Sequence, residues 1–246
     1  MKLFLDTTIQ IDRIFGSSKR RNAIRAVCQG RECCCSSYVL GEFNSNIMLD
    51  VVFVYHTLLQ ENDLNEAERR VEELARGRRQ NRAHMIFVHL RELYDNNLEE
   101  IKCELESYLE DLQSLFFRGI DGDLSDFTRC QRARAYLRYE DGVPVWEGCS
   151  CRKERCVCNI VPFWESHRDL LDAPFPSGLE ERAEALLNRV RQSDYDVKGN
   201  NCRSLGDAVI VLEARDAGGE ICSTNRKDFA PLCKLFQVRL NVPNYA

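Results

Sequence analysis

The chain has 246 residues, 44% hydrophobic and 30% charged, a balance that suits a globular protein long enough to bury a sizeable core. No apolar run approaches the ~18 residues of a membrane span, and Asp6 interrupts the first apolar stretch, so neither a transmembrane segment nor a signal peptide is expected and the sequence reads as cytoplasmic. A net charge of −5 excludes a generally basic nucleic-acid binder and leaves local patches: six arginines against two glutamates in residues 69–82, and seven basic against four acidic residues in 129–155. Each patch reads equally as a solvated helix face or as a phosphate-contacting surface.

In chain order, "KLFLD" (2–6) is a strand leading into a helix at "TTIQIDRIF", and "ECCCSS" (32–37) is a second strand leading into "YVLGEFNSNIM". From about residue 45 to 118 apolar residues recur at three- and four-residue spacing, which predicts a helical block with a break at Gly77. "VHLRELYDNNLEEIKCELESYLEDLQSLF" within it is long enough to pair two chains as a homodimer. "GIDGDLSD" (119–126) predicts a turn and then a basic helix to about residue 140, followed by the irregular, Cys-rich "DGVPVWEGCSCRKERCVCNIVPFW". "LEERAEALLNRVRQ" and "SLGDAVIVLEARDAG" are helices, the second with Ser204 and Asp207 spaced as a capping box, and "EICST" and "FQVRL" are strands. Both ends of the chain therefore alternate strand and helix, which predicts a parallel sheet flanked by helices, with functional residues at the carboxyl ends of its strands.

Thirteen cysteines without a signal peptide argue for core residues, metal ligands or reactive thiols rather than a disulfide framework. "ECCCSSYV" reads as a buried strand in which Cys acts as a small hydrophobe. His56, His84 and His89 fall in the helical block and read as packed or surface residues.

The polar residues at the strand ends form an ordered set. Asp6 ends the first strand, Glu42 follows the second, Asp207 opens its helix, and Asn225 and Asp228 follow "EICST". Each has a local explanation as a cap or turn residue. Gathered on one sheet edge, however, these carboxylates would repel, and a hard cation such as Mg²⁺ or Mn²⁺ would relieve the conflict.

"LFLDTTIQID", "SSYVLGEF", "LGDAVIVLEA" and "CSTNRKDF" resemble, in order, the four signature segments of the PIN-domain nucleases. The matching positions are Asp6, then Ser37 with Glu42, then Asp207, then Ser223 with Asn225 and Asp228–Phe229. The resemblance implies a Rossmann-like α/β PIN fold with a discontinuous catalytic core (1–44 and 195–246) around a mainly helical insertion (45–194). It also implies metal-dependent phosphodiester cleavage, usually of RNA, with Asp6, Glu42, Asp207 and Asn225 as Mg²⁺ or Mn²⁺ ligands, Asp228 beside them, and Ser37 and Ser223 near the substrate. Asn225 replaces an acid of the family pattern, which implies a looser second metal site with Asp228 placed to compensate. The small toxins of toxin–antitoxin pairs share these motifs without such an insertion; a toxin held by a protein inhibitor and a non-cleaving nucleic-acid- or protein-binding scaffold are the alternatives.

"CSCRKERCVC" places Cys149, Cys151, Cys156 and Cys158 as C-x-C-x₄-C-x-C, a density that suits a closed structural Zn²⁺ site, with Cys130 or His167 able to replace one ligand. The alternative is a reduced thiol cluster. Arg152, Lys153 and Arg155 inside this loop, flanked by Trp146 and Trp164, form a candidate grip for single-stranded nucleic acid.

Overall fold

The computed structural model describes residues 1–75, 77–122, 124–148 and 151–245. Its sheet is built from β1 (Lys2–Leu5), β2 (Glu32–Cys34), β5 (Glu220–Cys222) and β6 (Leu240–Asn241), all parallel, in the spatial order β2-β1-β5-β6. A separate antiparallel hairpin joins β3 (Tyr136–Glu140) to β4 (Val143–Glu147). In β1, Leu3 and Leu5 point to one face and Phe4 to the other, and all three are buried. A strand covered on both faces needs no polar alternation, which is why "LFL" reads as a continuous apolar run.

Helices cover both faces. Ile9 of α1 (Thr7–Phe15) and Ile24 of α2 (Ser18–Cys28) pack with Leu3, Leu5, Cys33 and Cys222. On the other face Phe4, Cys34 and Ile221 join α3 (Ser37–Phe43), α11 (Gly206–Asp216) and α12 (Arg226–Leu235). Side chains start the early helices: Asp6 caps α1, Ser17 caps α2 and Ser36 caps α3. Cys33, Cys34 and Cys35 are buried as expected, and burial pushes the Cys35 thiol up to about 12.

After α3 one π turn (Asn44–Met48) leads into α4 (Leu49–Gln60), whose sequence is apolar nearly all round. Such a helix must be enclosed, and α5 (Leu64–Leu74), α6 (Arg78–Leu93), α7 (Leu98–Phe117) and the β3–β4 hairpin enclose it. Gly77 breaks the chain between α5 and α6 with φ +61°. Then come α8 (Ile160–His167), α9 (Glu181–Arg191) and the short α10 (Asn200–Ser204).

Four expectations change. The basic helix expected up to about residue 140 does not form: Gln131–Arg134 make one 3-10 turn, and residues 136–147 form a hairpin in which Asp141 and Gly142 both adopt left-handed φ, the requirement of a tight two-residue turn. The long amphipathic stretch is cut into α6 and α7: Asp95 and Asn96 are left-handed and Asn97 caps α7. Ser204 makes no capping box, since its hydroxyl donates to Asn200 O and α10 ends there. "FQVRL" is mostly a turn after α12, with pairing only at Leu240–Asn241.

Candidate functional site

The strand order reverses direction beside β1: the chain moves from β1 outward to β2, then returns to place β5 on the other side. The carboxyl ends of β1 and β5 therefore flank a topological switch point, where a doubly wound sheet leaves a crevice. Asp6 stands at the end of β1, and its N–H donates to Cys222 O at 3.0 Å. Three helices, α1, α11 and α12, begin at this edge and present amide-rich N-termini to it.

Asp6 accepts four hydrogen bonds. Thr7 N donates to Oδ1 (2.6 Å), while Thr8 N (3.3 Å), Thr8 Oγ1 (2.7 Å) and Ser223 Oγ (2.8 Å) donate to Oδ2. Thr7 also reaches the next carboxylate, its hydroxyl donating to Glu42 Oε2 at 2.6 Å. One residue thus couples the two acids through its backbone and its side chain. Burial raises the pKa of both; the bonds from Thr8 and Ser223 oppose this at Asp6, and the nearby Arg132 charge opposes it at Glu42.

The chain of contacts continues on either side. Ser223 Oγ accepts from Asn225 N at 3.0 Å, and Asn225 Nδ2 donates to Asp228 Oδ2 at 2.9 Å. Asp228 and Asp207 line one small cleft of about 80 Å³, together with Glu180 and Ser204. Glu42 returns to the start of α11, because a Cβ built on Gly206 would stand 3.0 Å from Glu42 Oε1 and 3.0 Å from the Tyr38 ring. The small residue before Asp207 is what lets Glu42 approach that helix start. Asp6, Glu42, Asp207, Ser223, Asn225 and Asp228 are thereby gathered on one edge, Asp6 and Ser223 meeting across 217 residues.

These oxygen donors are the type a hard dication takes. They are not drawn into one tight shell: among the described residues, the only three His, Cys, Asp or Glu side chains with ligand atoms within 4.8 Å of one another are Glu68, Glu72 and His84. That trio is largely exposed on α5 and α6, and Glu68 is already paired with Arg91 at 2.6 Å. Ser37, expected beside the substrate, is only 4% exposed and its Oγ has no hydrogen-bond partner, so it is closed off from a ligand in this conformation. Ser223 is also fully buried and serves to orient Asp6.

Sequence reasoning missed Arg132. The residue is 3% exposed, and its guanidinium lies over the Tyr38 ring at 4.7 Å and leaves Nε and Nη2 without a hydrogen-bond partner. Its charge acts on both Glu42 and Cys130. It was hidden inside a basic stretch that gave no hint of burial.

The thiol cluster is partly assembled. Cys149 lies outside the described residues. Cys151 and Cys156 are each 6% exposed in a loop whose Arg152, Lys153, Glu154 and Arg155 are all exposed. Cys158 Sγ accepts from Gln131 N at 3.3 Å, and the neighbouring Cys158 and Arg132 bring the Cys130 thiol down to about 6. Cys130 therefore stands beside Cys158. His167 is excluded as a substitute ligand, since Nδ1 faces Phe163 O at 2.6 Å and Nε2 faces Asp216 Oδ2 at 2.8 Å.

Two nucleic-acid expectations weaken. Trp146 and Trp164 are buried, so neither presents a stacking face beside the loop, and Lys153 is paired with Asp196 at 2.5 Å. In residues 69–82, Arg69 pairs with Glu66 and Glu73, Arg70 with Glu73, and Arg79 and Arg82 with the fully buried Asp50. Most of that apparent patch is neutralised within the chain.

No described helix is long and apolar enough to cross a membrane. No protein-family model, no curated protein and no solved structure matches this chain.

Proposed function

We propose that this protein is a metal-dependent phosphodiesterase of the PIN type that cleaves single-stranded or structured RNA. The observation that carries the reading is the convergence of Asp6, Glu42, Asp207, Asn225 and Asp228 on the carboxyl edge of a parallel sheet, at its switch point. Asp6, Glu42, Asp207 and Asn225 would hold Mg²⁺ or Mn²⁺. Such an ion, when bound, activates water and neutralises charge on a phosphate. Thr8 and Ser223 orient Asp6, Asp228 orients Asn225, and the starts of α1, α11 and α12 favour an anion at the same edge. The preference for RNA rests on the sequence resemblance.

The thiols Cys130, Cys151, Cys156 and Cys158, with Cys149, offer donors for a structural Zn²⁺ that would pin the loop. The approach of Cys158 to the Cys130–Gln131 segment, and two buried thiols on an otherwise exposed loop, support that role.

A second reading, a scaffold that binds without cutting, is favoured by one feature: the four protein donors on Asp6 already satisfy its oxygens. The two separate in one experiment. A mixed pool of single-stranded RNA and DNA is incubated with Mn²⁺ or with EDTA. Metal-dependent RNA products support the phosphodiesterase, whereas retention of intact strands on the protein supports the scaffold.

A further inference from the structure

A second cleft, of about 410 Å³, opens between α1, α2 and the end of α7. Arg13, Arg21, Arg25 and Arg118 line it, over a floor of Ile14, Ile24 and Leu115. It is continuous with a shallower groove through Arg25, Cys28 and Gly119, where Asp121 is the carboxylate at the rim. One Asp121 oxygen is taken by Cys33 N at 2.6 Å.

The four arginines contrast with those held in ion pairs. Arg20, Arg31, Arg69, Arg79, Arg82 and Arg189 all have carboxylate partners. Among the described residues Arg13, Arg21, Arg25 and Arg118 have none. Arg13 donates to Gln10, Arg21 to Ser18 and Arg25 to Asn22, all neutral side chains. Guanidinium groups stay charged in proteins, so four around one cleft repel unless an anion joins them. In a chain of net charge −5 with 39 acidic residues, four arginines without a carboxylate partner around one hollow concentrate positive charge where an anion would sit.

The cleft has two characters. Its rim offers planar donor forks that match phosphate oxygens, and its floor is apolar. A bare inorganic anion would use the first and leave the second wet. A nucleotide uses both, and the volume suits one.

We propose that this cleft binds a single nucleoside phosphate, either free or as the 5′-phosphorylated terminus of a strand. Arg13 lies seven residues along α1 from Asp6, roughly 10 Å at the helical rise. Fully buried Gln10 lies between them on that helix. The site is therefore separate from the acidic cluster, and its occupancy does not depend on cleavage there.

The test measures binding by calorimetry at low salt, using AMP, a 5′-phosphorylated tetranucleotide and its 5′-hydroxyl counterpart. The proteins are wild type, Arg21→Gln/Arg25→Gln and Asp207→Asn. Among the described residues the side chains of Arg21 and Arg25 hydrogen-bond only to Ser18 and Asn22, and Gln keeps most of each aliphatic stem, so the double variant should keep the packing of α2. Binding of AMP, or of the phosphorylated strand at least ten-fold tighter than the hydroxyl strand, is expected in wild type and Asp207→Asn, with at least ten-fold loss in the double variant. AMP binding as tight as the strand assigns a free nucleotide, and strand binding alone assigns a terminus. Cys28 lines the cleft, so the bound probe should also slow its alkylation by iodoacetamide, read by peptide mass. No binding of any probe, or equal binding by wild type and the double variant, overturns the proposal. Loss in Asp207→Asn with retention in the double variant would move the phosphate site to the acidic cluster and overturn it equally.

Discussion

Asp6 illustrates how burial changes what a substitution should do. From the sequence, Asp6→Ala is expected to leave the fold intact or slightly stabilised, since a repelling carboxylate is removed. In the structure the same change orphans Ser223 Oγ and the Thr7 amide and removes the cap of α1. Asp6→Ala should therefore cost about 1–3 kcal/mol, measured by urea unfolding without metal; an unchanged midpoint would contradict the network. Glu213 gives a second residue-scale prediction. It is fully buried at the end of α11, accepts from Thr128 Oγ1 at 3.4 Å, and burial pushes it up to about 8. Between pH about 4.5 and 8 the unfolded chain has released this proton while the folded chain keeps it. The unfolded state then binds fewer protons, so stability falls as pH rises through that window and levels off above it, by about 3–5 kcal/mol in total. Glu213→Gln should flatten the dependence, and parallel Tm profiles for the two proteins from pH 5 to 8 would refute the assignment.

Asp50 shows the same logic for whole elements. It sits on α4 at 0% exposure, held by Arg79 Nε at 2.8 Å and Arg82 Nε at 2.5 Å from α6. Removing it leaves a hole in the seam and two arginines that are 45% and 25% exposed and can turn to water, so Asp50→Ala should cost about 1–3 kcal/mol by urea unfolding, and an unchanged midpoint would show the pairs to be incidental. Elements were legible in the sequence where one local signal decided them. The apolar runs of β1 and β2 and the helical spacing of α5, α7 and α9 belong to this class. The β3–β4 hairpin was lost although Asp141–Gly142 is a strong turn signal, because the basic residues around it suggested a helix face. Pairing explains the other miss: charge counts along 69–82 could not reveal that Asp50, almost thirty residues earlier, claims two of the arginines. The run from Arg13 to Arg31, with six basic residues and no acid, was the sequence signal for the arginine cleft.

For the whole molecule, the order of polar residues at strand ends was readable because a parallel sheet places every such end on one edge. What could not be read was the distances between their ligand atoms, the closure of Ser37, and the position of Arg132 between the acids and the thiols. Cys158 likewise comes to the Cys130–Gln131 segment, its Sγ meeting Gln131 N across 27 residues, through tertiary packing rather than motif spacing. Protein purified without chelator should therefore carry about one Zn²⁺ per chain by elemental analysis. Cys158→Ser should lose the metal and become more sensitive to proteolysis near residue 155. A metal-free wild type with the same proteolytic resistance would mean a plain thiol cluster.

The most direct test of a metal-dependent phosphodiesterase at the sheet edge is the rate of single-stranded RNA cleavage with Mn²⁺, wild type beside Asp207→Asn. Asp207 lines the open cleft rather than the core, so the substitution should leave Tm within a degree or two while lowering the rate about a hundred-fold or more. Cleavage that persists at the wild-type rate in a correctly folded Asp207→Asn, or that survives EDTA, would contradict it.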